Sequence, residues 1–393
     1  MKTIECVLKP GKEKPLRGRH PWIFSGAIDL VSDDAAPGDL VRVFSSSREF
    51  LGTGYFNAQS QITVRMLRFD EGAVDESFFE SRLRRAIDWR RTSGILSQET
   101  NACRLVHAEG DFLPGLIVDR YGDYLGVQIL TAGMENWREA LAGLLMKLTG
   151  CRGIYEKGDV DSRHKEGLER RSGPLAGAEP PETVEILENG RRFLVDLHEG
   201  QKTGFFLDQR DNRALLAGYS RGRRVLNCFS YTGGFSVYAA QAGASRVVSV
   251  EISQTAQQLA EKNFDVNGLK GDYAFEKRDV FDYLRETSEL FELIILDPPA
   301  FCKHPQQVMQ ASRGYKDINL CAFKKLVPGG LIFTASCSSF IPADLFQKIL
   351  FAAAKDAGRE IQIVAKTSHA PDHPVSLYHP EGEYLKGFLL RVL

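Results

Sequence analysis

The 393-residue sequence predicts an α/β protein: a doubly wound, mostly parallel sheet of seven strands at the C-terminus, preceded by a small β-barrel and a central α+β domain. Three observations predict this. From about residue 183 onward, short β runs alternate with helices, the pattern of a parallel sheet covered on both faces. Residues 1 to about 70 carry short strand signals broken by turn residues, and the stretch between mixes helices with strands. Domains are therefore expected at 1–70, 71–182 and 183–393.

In the first zone Cys6–Leu8, Leu40–Phe44, Leu51–Phe56 and Ile62–Leu67 read as strands, punctuated by Pro37-Gly38 and by Gly52 and Gly54. The second opens on an amphipathic helix over Glu76–Arg91 with Phe79, Leu83 and Ile87 on its apolar face. Strand-like runs follow at Gly115–Asp119 and Tyr124–Ile129, then a helix over Glu135–Leu148. The Gly/Pro/Glu-rich stretch Ser172–Glu182 is expected to be a linker or mobile loop.

The third zone holds strands at Arg224–Phe229, Arg246–Val250, Tyr273–Lys277, Leu293–Leu296, Leu331–Ala335, Glu360–Val364 and Phe388–Leu393. Helices fall between them at Phe235–Ala242, Gln254–Asn267, Val280–Arg285, Tyr315–Leu326 and Leu345–Ala357. A helix-free stretch, Ala365–Gly387, separates the last two strands, so the final strand is expected to run antiparallel.

Hydrophobic residues at 43% and charged residues at 26% are ordinary for a soluble globular chain. The first 25 residues contain no long apolar run, so neither a secretory signal nor a membrane span is expected. Cys6, Cys103, Cys151, Cys228, Cys302, Cys321 and Cys337 form no C-x-x-C pair, which supports neither zinc nor a disulfide framework; a cytoplasmic protein with reduced thiols is expected. A net charge of −1 argues against wholesale coating of nucleic acid. Charge is unevenly placed, however. Lys2, Lys9, Lys12, Lys14, Arg17 and Arg19 face only Glu5 and Glu13, and Arg82, Arg84, Arg85, Arg90 and Arg91 crowd one helix. The second run reads either as a solvated helix face or as a local phosphate contact.

In a doubly wound sheet, ligands lie beyond the carboxyl ends of the strands where strand order reverses. Four features should meet there. Val225 to Ser236 is a strand entering a glycine turn (Gly233-Gly234) and a helix, and it is not G-x-G-x-x-G, which counts against a nicotinamide dinucleotide. Glu251, 18 residues after Gly233, can accept from two ribose hydroxyls and would repel a 2′-phosphate. Asp279 follows the third strand and can accept from an adenine amino group or simply cap a helix. Asp297-Pro298-Pro299 ends the fourth strand.

The block from Lys202-Thr-Gly-Phe-Phe-Leu-Asp-Gln-Arg210 through Asp297-Pro-Pro-Ala-Phe301, Arg313-Gly-Tyr-Lys-Asp-Ile-Asn319 and Ser336-Cys-Ser338 resembles the bacterial large-subunit ribosomal RNA cytosine-5 methyltransferase I family. So do Asp372-His-Pro374, Pro380-Glu-Gly and Tyr384-Leu-Lys-Gly-Phe388. Leu8-Lys-Pro-Gly-Lys and Gly18-Arg-His-Pro-Trp-Ile-Phe24 resemble that family's N-terminal PUA domain, a small RNA-binding barrel. The resemblance spans essentially the whole chain. It implies the class I methyltransferase version of the sheet, S-adenosylmethionine as methyl donor, and a cytosine of 23S rRNA, or of a large-subunit assembly intermediate, as acceptor. It implies no membrane and no metal, and leaves homodimerisation open. By matching motifs, Phe229, Ser230, Gly233, Glu251, Asp279 and Asp297 would line the donor pocket, with Gln209 and Arg210 closing it. Lys12, Arg17 and Arg19 would contact RNA phosphates; Lys316 would too, though it and Asp317 could equally solvate a helix.

Cytosine C5 is too weak a nucleophile to attack a sulfonium methyl unaided; a thiolate added at C6 makes it enamine-like. Cys337 follows the fifth strand, which neighbours the fourth, and so should emerge beside Asp297; it is the expected nucleophile. Cys302 sits out of register, with Ala300 where a second loop thiol would be expected. Asp297 is the nearest candidate to remove the C5 proton. The base must be unstacked to reach such a pocket. His369, His373 and His379 could contact the acceptor; without cysteine ligands they do not suggest a metal. Two other readings stay open: an RNA purine-nitrogen methyltransferase, and an RNA-binding ribosome assembly factor without catalysis. Ala300 ahead of Phe301 and an unexplained Ser336-Cys337-Ser338 count against the first; the full set Glu251, Asp279, Asp297 and Cys337 counts against the second.

Overall fold

The computed structural model describes residues 4–393, so Lys2 lies outside the described residues. The chain divides into two compact units. One holds the residues up to Leu187 with Val195–Leu207 and Pro371–Gly382; the other holds Glu188–Leu194, Asp208–Ala370 and Glu383–Leu393.

The first unit contains two sheets. β1 (Ile4–Leu8), β2 (Trp22–Phe24), β3 (Ile28–Val31), β4 (Leu40–Phe44), β5 (Phe50–Phe56) and β6 (Ile62–Arg68) pair in the order β2-β6-β5-β4-β1-β3, with a one-turn helix α1 (Lys14–Arg17). Among the described residues of this sheet, only β1 and β4 run parallel. Alternate residues of these strands, Cys6, Leu8, Val41, Val43, Val64 and Met66 among them, point inward and form one apolar core. Gly52 (φ +144) lies so close to the opposite strand that any Cβ would collide with the Arg68 carbonyl oxygen.

After this sheet comes α2 (Glu76–Thr92), started by Asp75, whose side chain accepts from Phe78 N at 3.0 Å. β7 (Ala102–His107), β8 (Leu116–Tyr121), β9 (Tyr124–Ile129), α3 (Ala132–Glu135), α4 (Arg138–Thr149), β10 (Gly153–Gly158), α5 (Asp161–Lys165) and β11 (Arg171–Gly177) follow. The five strands line up as β11-β10-β9-β8-β7, and Leu83 and Ile87 of α2 pack with Leu141 and Leu145 of α4 and Leu105 and Val118 of the sheet.

Two sequence expectations are corrected here. The stretch 172–182 is not a linker: its first part is β11, paired antiparallel with β10. Gly177 permits close approach, since a Cβ there would collide with the Arg152 carbonyl oxygen. Nor does Arg90 belong to a solvated basic face. It is 0% exposed, its guanidinium donating to both Asp111 carboxylate oxygens at 2.7 Å and to the carbonyls of Arg104 and Asp372. A buried cation this completely paired is architecture.

Next, β12 (Val184–Glu188) and β13 (Arg191–Val195) form a hairpin across Asn189-Gly190, both with positive φ, a two-residue turn suited to strand twist. In the second unit α6 (Arg210–Ala217) leads into β14 (Arg224–Cys228), α7 (Gly234–Gln241), β15 (Arg246–Glu251), α8 (Gln254–Val266), β16 (Tyr273–Lys277), α9 (Val280–Glu286), β17 (Phe291–Leu296), α10 (Val308–Lys324), β18 (Leu326–Ser336), α11 (Ala343–Ala357), β19 (Ile361–Thr367) and β20 (Lys386–Val392). The seven-stranded order is β16-β15-β14-β17-β18-β20-β19, with β14 to β18 parallel and β20 antiparallel to both neighbours. The expected antiparallel last strand is present, inserted between β18 and β19. Helix α10 starts at Val308, earlier than expected, because Gly314 does not break it: a Cβ there would meet Phe301 at 3.3 Å, so the glycine makes room for an aromatic ring. Among the described residues no helix is long and apolar enough to cross a membrane.

Candidate active site

Strand order reverses at β14, between β15 and β17, so the loops leaving these strands share one edge of the sheet. The loop after β14 is tightly wound. Phe229 (φ 58) and Tyr231 (φ 47) occupy the left-handed region that is costly for non-glycine residues, and Gly233 (φ 78) caps α7. Ser230 N donates to Val250 O at 3.0 Å, and Gly233 N to Ser230 O at 2.9 Å. Glu251 braces the same loop: its half-buried carboxylate accepts from Tyr231 N and Ser253 N, each at 2.9 Å. A carboxylate has about four lone-pair sites, so two backbone bonds fix its direction and leave capacity for vicinal hydroxyls.

Asp279 is exposed and caps α9, Oδ1 accepting from Phe281 N at 2.8 Å and Asp282 N at 3.2 Å. Helix capping and a ligand role are thus compatible, because Oδ2 takes no part in the cap. Asp297 follows β17 and is half-buried. Since Leu296 pairs with Thr334, Asp297 stands level with Ala335 of β18, and Cys337 leaves β18 two residues further along the same edge. Phe301, in the loop after Asp297, packs at 4.6 Å on Tyr315 and at 6.5 Å from Phe229 (ring centroids).

The two thiols flanking this edge differ. Cys302 is 2% exposed, its Sγ 3.3 Å from the His304 carbonyl oxygen. Cys337 is half-buried and set in a polar network. Ser336 Oγ donates to Tyr315 Oη at 3.0 Å, Ser338 Oγ lies 3.0 Å from the same hydroxyl, and Lys386 Nζ donates to Ser338 O at 2.8 Å and Tyr384 O at 2.7 Å. Lys386 pairs directly opposite Ser336 in the β18–β20 ladder. Burial pushes its ammonium below the ordinary lysine value, while the neighbouring Cys337 and Glu383 push it back up. Burial raises the Tyr315 hydroxyl, with Cys337 adding to the rise. Sequence reasoning assigned no role to Tyr315 or Lys386; the importance of Lys386 follows from the β18–β20 register, which sets it across from the residue before Cys337.

The remaining expected residues are placed as follows. Gln209 and Arg210 are buried at the start of α6, Gln209 Oε1 accepting from Asn212 Nδ2 at 2.6 Å. Lys316, midway along α10, pairs with Asp356 at 2.5 Å. In the first unit Lys12 is exposed, Arg17 pairs with Glu49, and Arg19 lies 5.9 Å from the Tyr378 ring centroid. The three histidines are not one cluster: His369 stacks on Tyr384, His373 lies beside Asp372 and His107, and His379 packs at 4.3 Å on Trp22. Among the described residues no group of three or more His, Cys, Asp or Glu is placed to hold a metal ion.

A family model of S-adenosylmethionine-dependent methyltransferases matches residues 104–385, and a PUA-like domain model matches residues 7–69. The chain is 47% identical over 394 residues to the ribosomal RNA large subunit methyltransferase I of Aeromonas salmonicida, covering 99% of each chain. It is 45% identical over 395 residues to the protein of that name from Shewanella amazonensis, covering 99% of this chain and 100% of the other. The crystal structure of SMU.776 complexed with SAH superposes with a TM-score of 0.87 at 27% identity, covering 99% of this chain and all of that one. A structure described as a SAM-dependent methyltransferase from Streptococcus mutans gives 0.85 at 27% identity and the same coverage. With a reversing parallel sheet, acids at three of its strand ends and relatives of nearly half identity along their full length, this chain belongs to the S-adenosylmethionine-dependent methyltransferases, in the family of the ribosomal RNA large subunit methyltransferase I proteins.

Proposed function

We propose that the chain methylates C5 of a cytosine in large-subunit (23S) ribosomal RNA, with Cys337 as covalent nucleophile. The RNA class follows from the relatives' shared name and from the PUA-like match at the front. The base and the mechanism rest on one observation: a half-buried thiol at the end of β18, level with the Asp297 loop and next to Ser338, whose carbonyl accepts from Lys386 Nζ at 2.8 Å.

The residues at the sheet edge fit S-adenosylmethionine. Glu251 offers acceptors to ribose hydroxyls, Asp279 Oδ2 to an adenine amine, and the wound Phe229–Gly233 loop lets backbone approach; the acids also suit a cationic sulfonium. Phe229, Ser230, Gly233, Glu251, Asp279 and Asp297 would hold it, with Gln209 and Arg210 behind. When bound, it supplies an electrophilic methyl group.

Cys337 acts on the acceptor. Its thiolate adds to C6 and pushes the ring's electron pair to C5, where the new carbon–methyl bond would form as the donor's sulfur–methyl bond breaks and its electron pair stays on sulfur. Asp297 then takes the C5 proton, and the electrons of the C–H bond restore the C5–C6 double bond as the thiolate leaves. Lys386 favours the thiolate at both ends of this cycle, since a neighbouring cation lowers the cost of charge on sulfur.

The test is nucleoside mass spectrometry of 23S rRNA incubated with labelled S-adenosylmethionine. Wild type should yield labelled 5-methylcytidine, and Cys337→Ala should lose it by roughly 10⁴-fold or more, as deletion of a covalent nucleophile does. Label on a purine, or undiminished 5-methylcytidine from Cys337→Ala, would overturn the proposal.

A further inference from the structure

A cavity of about 300 Å³ in the first unit brings together Arg19, Arg68, Arg82 and Arg85 with Phe112 and Tyr378. Its volume lies at the lower end of sites that enclose a small ligand (~300–1,000 Å³). Two carboxylates share the lining, and both are engaged: Asp70 accepts from Arg68 Nε at 2.6 Å, and Glu109 accepts from Trp22 Nε1 at 2.9 Å. Arg19, Arg82 and Arg85 make no ion pair within 4.0 Å among the described residues. The cluster therefore carries surplus positive charge in a partly enclosed space. The consequence is visible at Arg82, pushed down to about 10 first by burial and then by the charges of Arg85 and Arg68. An anion seated among these guanidinium groups would relieve that repulsion.

The rings are as informative as the charges. Phe112 has a left-handed backbone (φ 60), a costly state for an aromatic residue, and it keeps its ring 38% exposed. Arg82 and Arg85 stand 5.5 and 5.2 Å from its centroid. Tyr378 is 42% exposed, with Arg19 at 5.9 Å. Exposed rings alternating with unpaired guanidinium groups are the chemistry of single-stranded nucleic-acid binding: bases stack, phosphates pair. Arg19 and Arg68 belong to the stretch matched by the PUA-like domain, whereas Arg82, Arg85 and Phe112 come from α2 and the loop before β8.

We infer that this cavity binds one unpaired nucleotide of the RNA substrate, its phosphate among Arg19, Arg82 and Arg85 and its base against Phe112 or Tyr378. The inference rests on the reading of an RNA substrate above and adds an anchor away from the reacting base. A duplex is too wide for a partly enclosed cavity of about 300 Å³, so the anchored segment is single-stranded.

Fluorescence anisotropy of the full chain with a labelled unstructured RNA dodecamer, taken over a salt series, tests it. Arg82→Ala/Arg85→Ala should weaken binding, about 10- to 100-fold at low salt, and flatten the log–log salt slope by up to about 0.7, one phosphate's worth on a single strand. Phe112→Leu should weaken binding about 5- to 150-fold with the salt slope unchanged, because stacking carries no counterion release. Calorimetric affinity for S-adenosylmethionine should match wild type in both, showing that they fold. Wild-type affinity and slope in both variants would overturn the inference, as would equal losses on a blunt RNA duplex. Should Arg82→Ala/Arg85→Ala lose RNA affinity while wild type makes no 5-methylcytidine, the reading of the reaction fails and this one stands.

Discussion

The carboxyl edge of the parallel sheet and the arginine-lined cavity of the first unit are built on opposite plans. At the edge, every polar group of interest leaves the end of a strand, in chain order: Phe229 to Gly233 after β14, Glu251 closing β15, Asp279 after β16, Asp297 after β17, Cys337 after β18. Acids predominate: Glu251 is braced by amides of its own loop and of the loop after β14, and Asp279 by the first amides of α9. The cavity instead gathers Arg19, Arg68, Arg82, Arg85, Phe112 and Tyr378, of which only Arg82 and Arg85 share an element, and its charge is positive. The edge is preorganised by backbone, with Glu251 and Asp279 held by amide donors. The cavity is held by side chains that repel one another. A site of the first kind suits chemistry, where atoms must not move; one of the second kind suits capture of a mobile polyanion.

Lys386 breaks this division, being a cation at an acidic edge, and its removal should change activity and its pH dependence together. A neighbouring cation favours the thiolate, so removing it should raise the pKa of Cys337. Lys386→Met should therefore shift the rising limb of the kcat/KM profile to higher pH, costing roughly tenfold at neutral pH and little in strong alkali. Lys386 Nζ also ties Ser338 O to Tyr384 O, so a merely structural role would lower activity equally at every pH. Iodoacetamide alkylation of Cys337 across the same pH range separates the two outcomes.

The donor-side acids were legible because strand ends recur at regular intervals and the ligand position in a doubly wound sheet follows from topology alone. Lys386 was not, because its significance depends on β20 pairing between β18 and β19, a register no local pattern announces. Arg90 shows the same limit in reverse. Within Arg82 to Arg91 it looks like its neighbours, yet its partners Asp111 and the Asp372 carbonyl lie 21 and 282 residues away, and it is buried. The strand at Arg171–Gly177 was hidden by its composition: glycine and proline read as a linker until a neighbouring backbone is close enough to need them.

Glu251→Gln sharpens the comparison from the acidic side. The two amides Tyr231 N–H and Ser253 N–H would then face a group half of which is itself a donor, so one bond and the charge are lost together. Affinity for S-adenosylmethionine should fall about tenfold, the lower end for a hydrogen bond to a charged group. RNA affinity measured by anisotropy should not change. A parallel loss of RNA binding would mean that the two sites are coupled and that the division drawn between them is wrong.

The smallest effect is expected one residue from a large one. Arg84 and Arg85 are adjacent on α2, but successive helical residues point about 100° apart. Arg85 reaches the Phe112 ring, while Arg84 donates to Glu80 at 2.8 Å, four residues back, with its side chain 55% exposed. An exposed pair at this spacing is worth about 0.3–0.5 kcal/mol, so Arg84→Ala should lower the melting temperature by a degree or two at most. If only the cavity captures RNA, its anisotropy curve and salt slope should overlay those of wild type. Equal weakening by Arg84→Ala and by Arg85→Ala would show that the whole basic face of α2 attracts RNA diffusely, and that enclosure beside Phe112 contributes nothing.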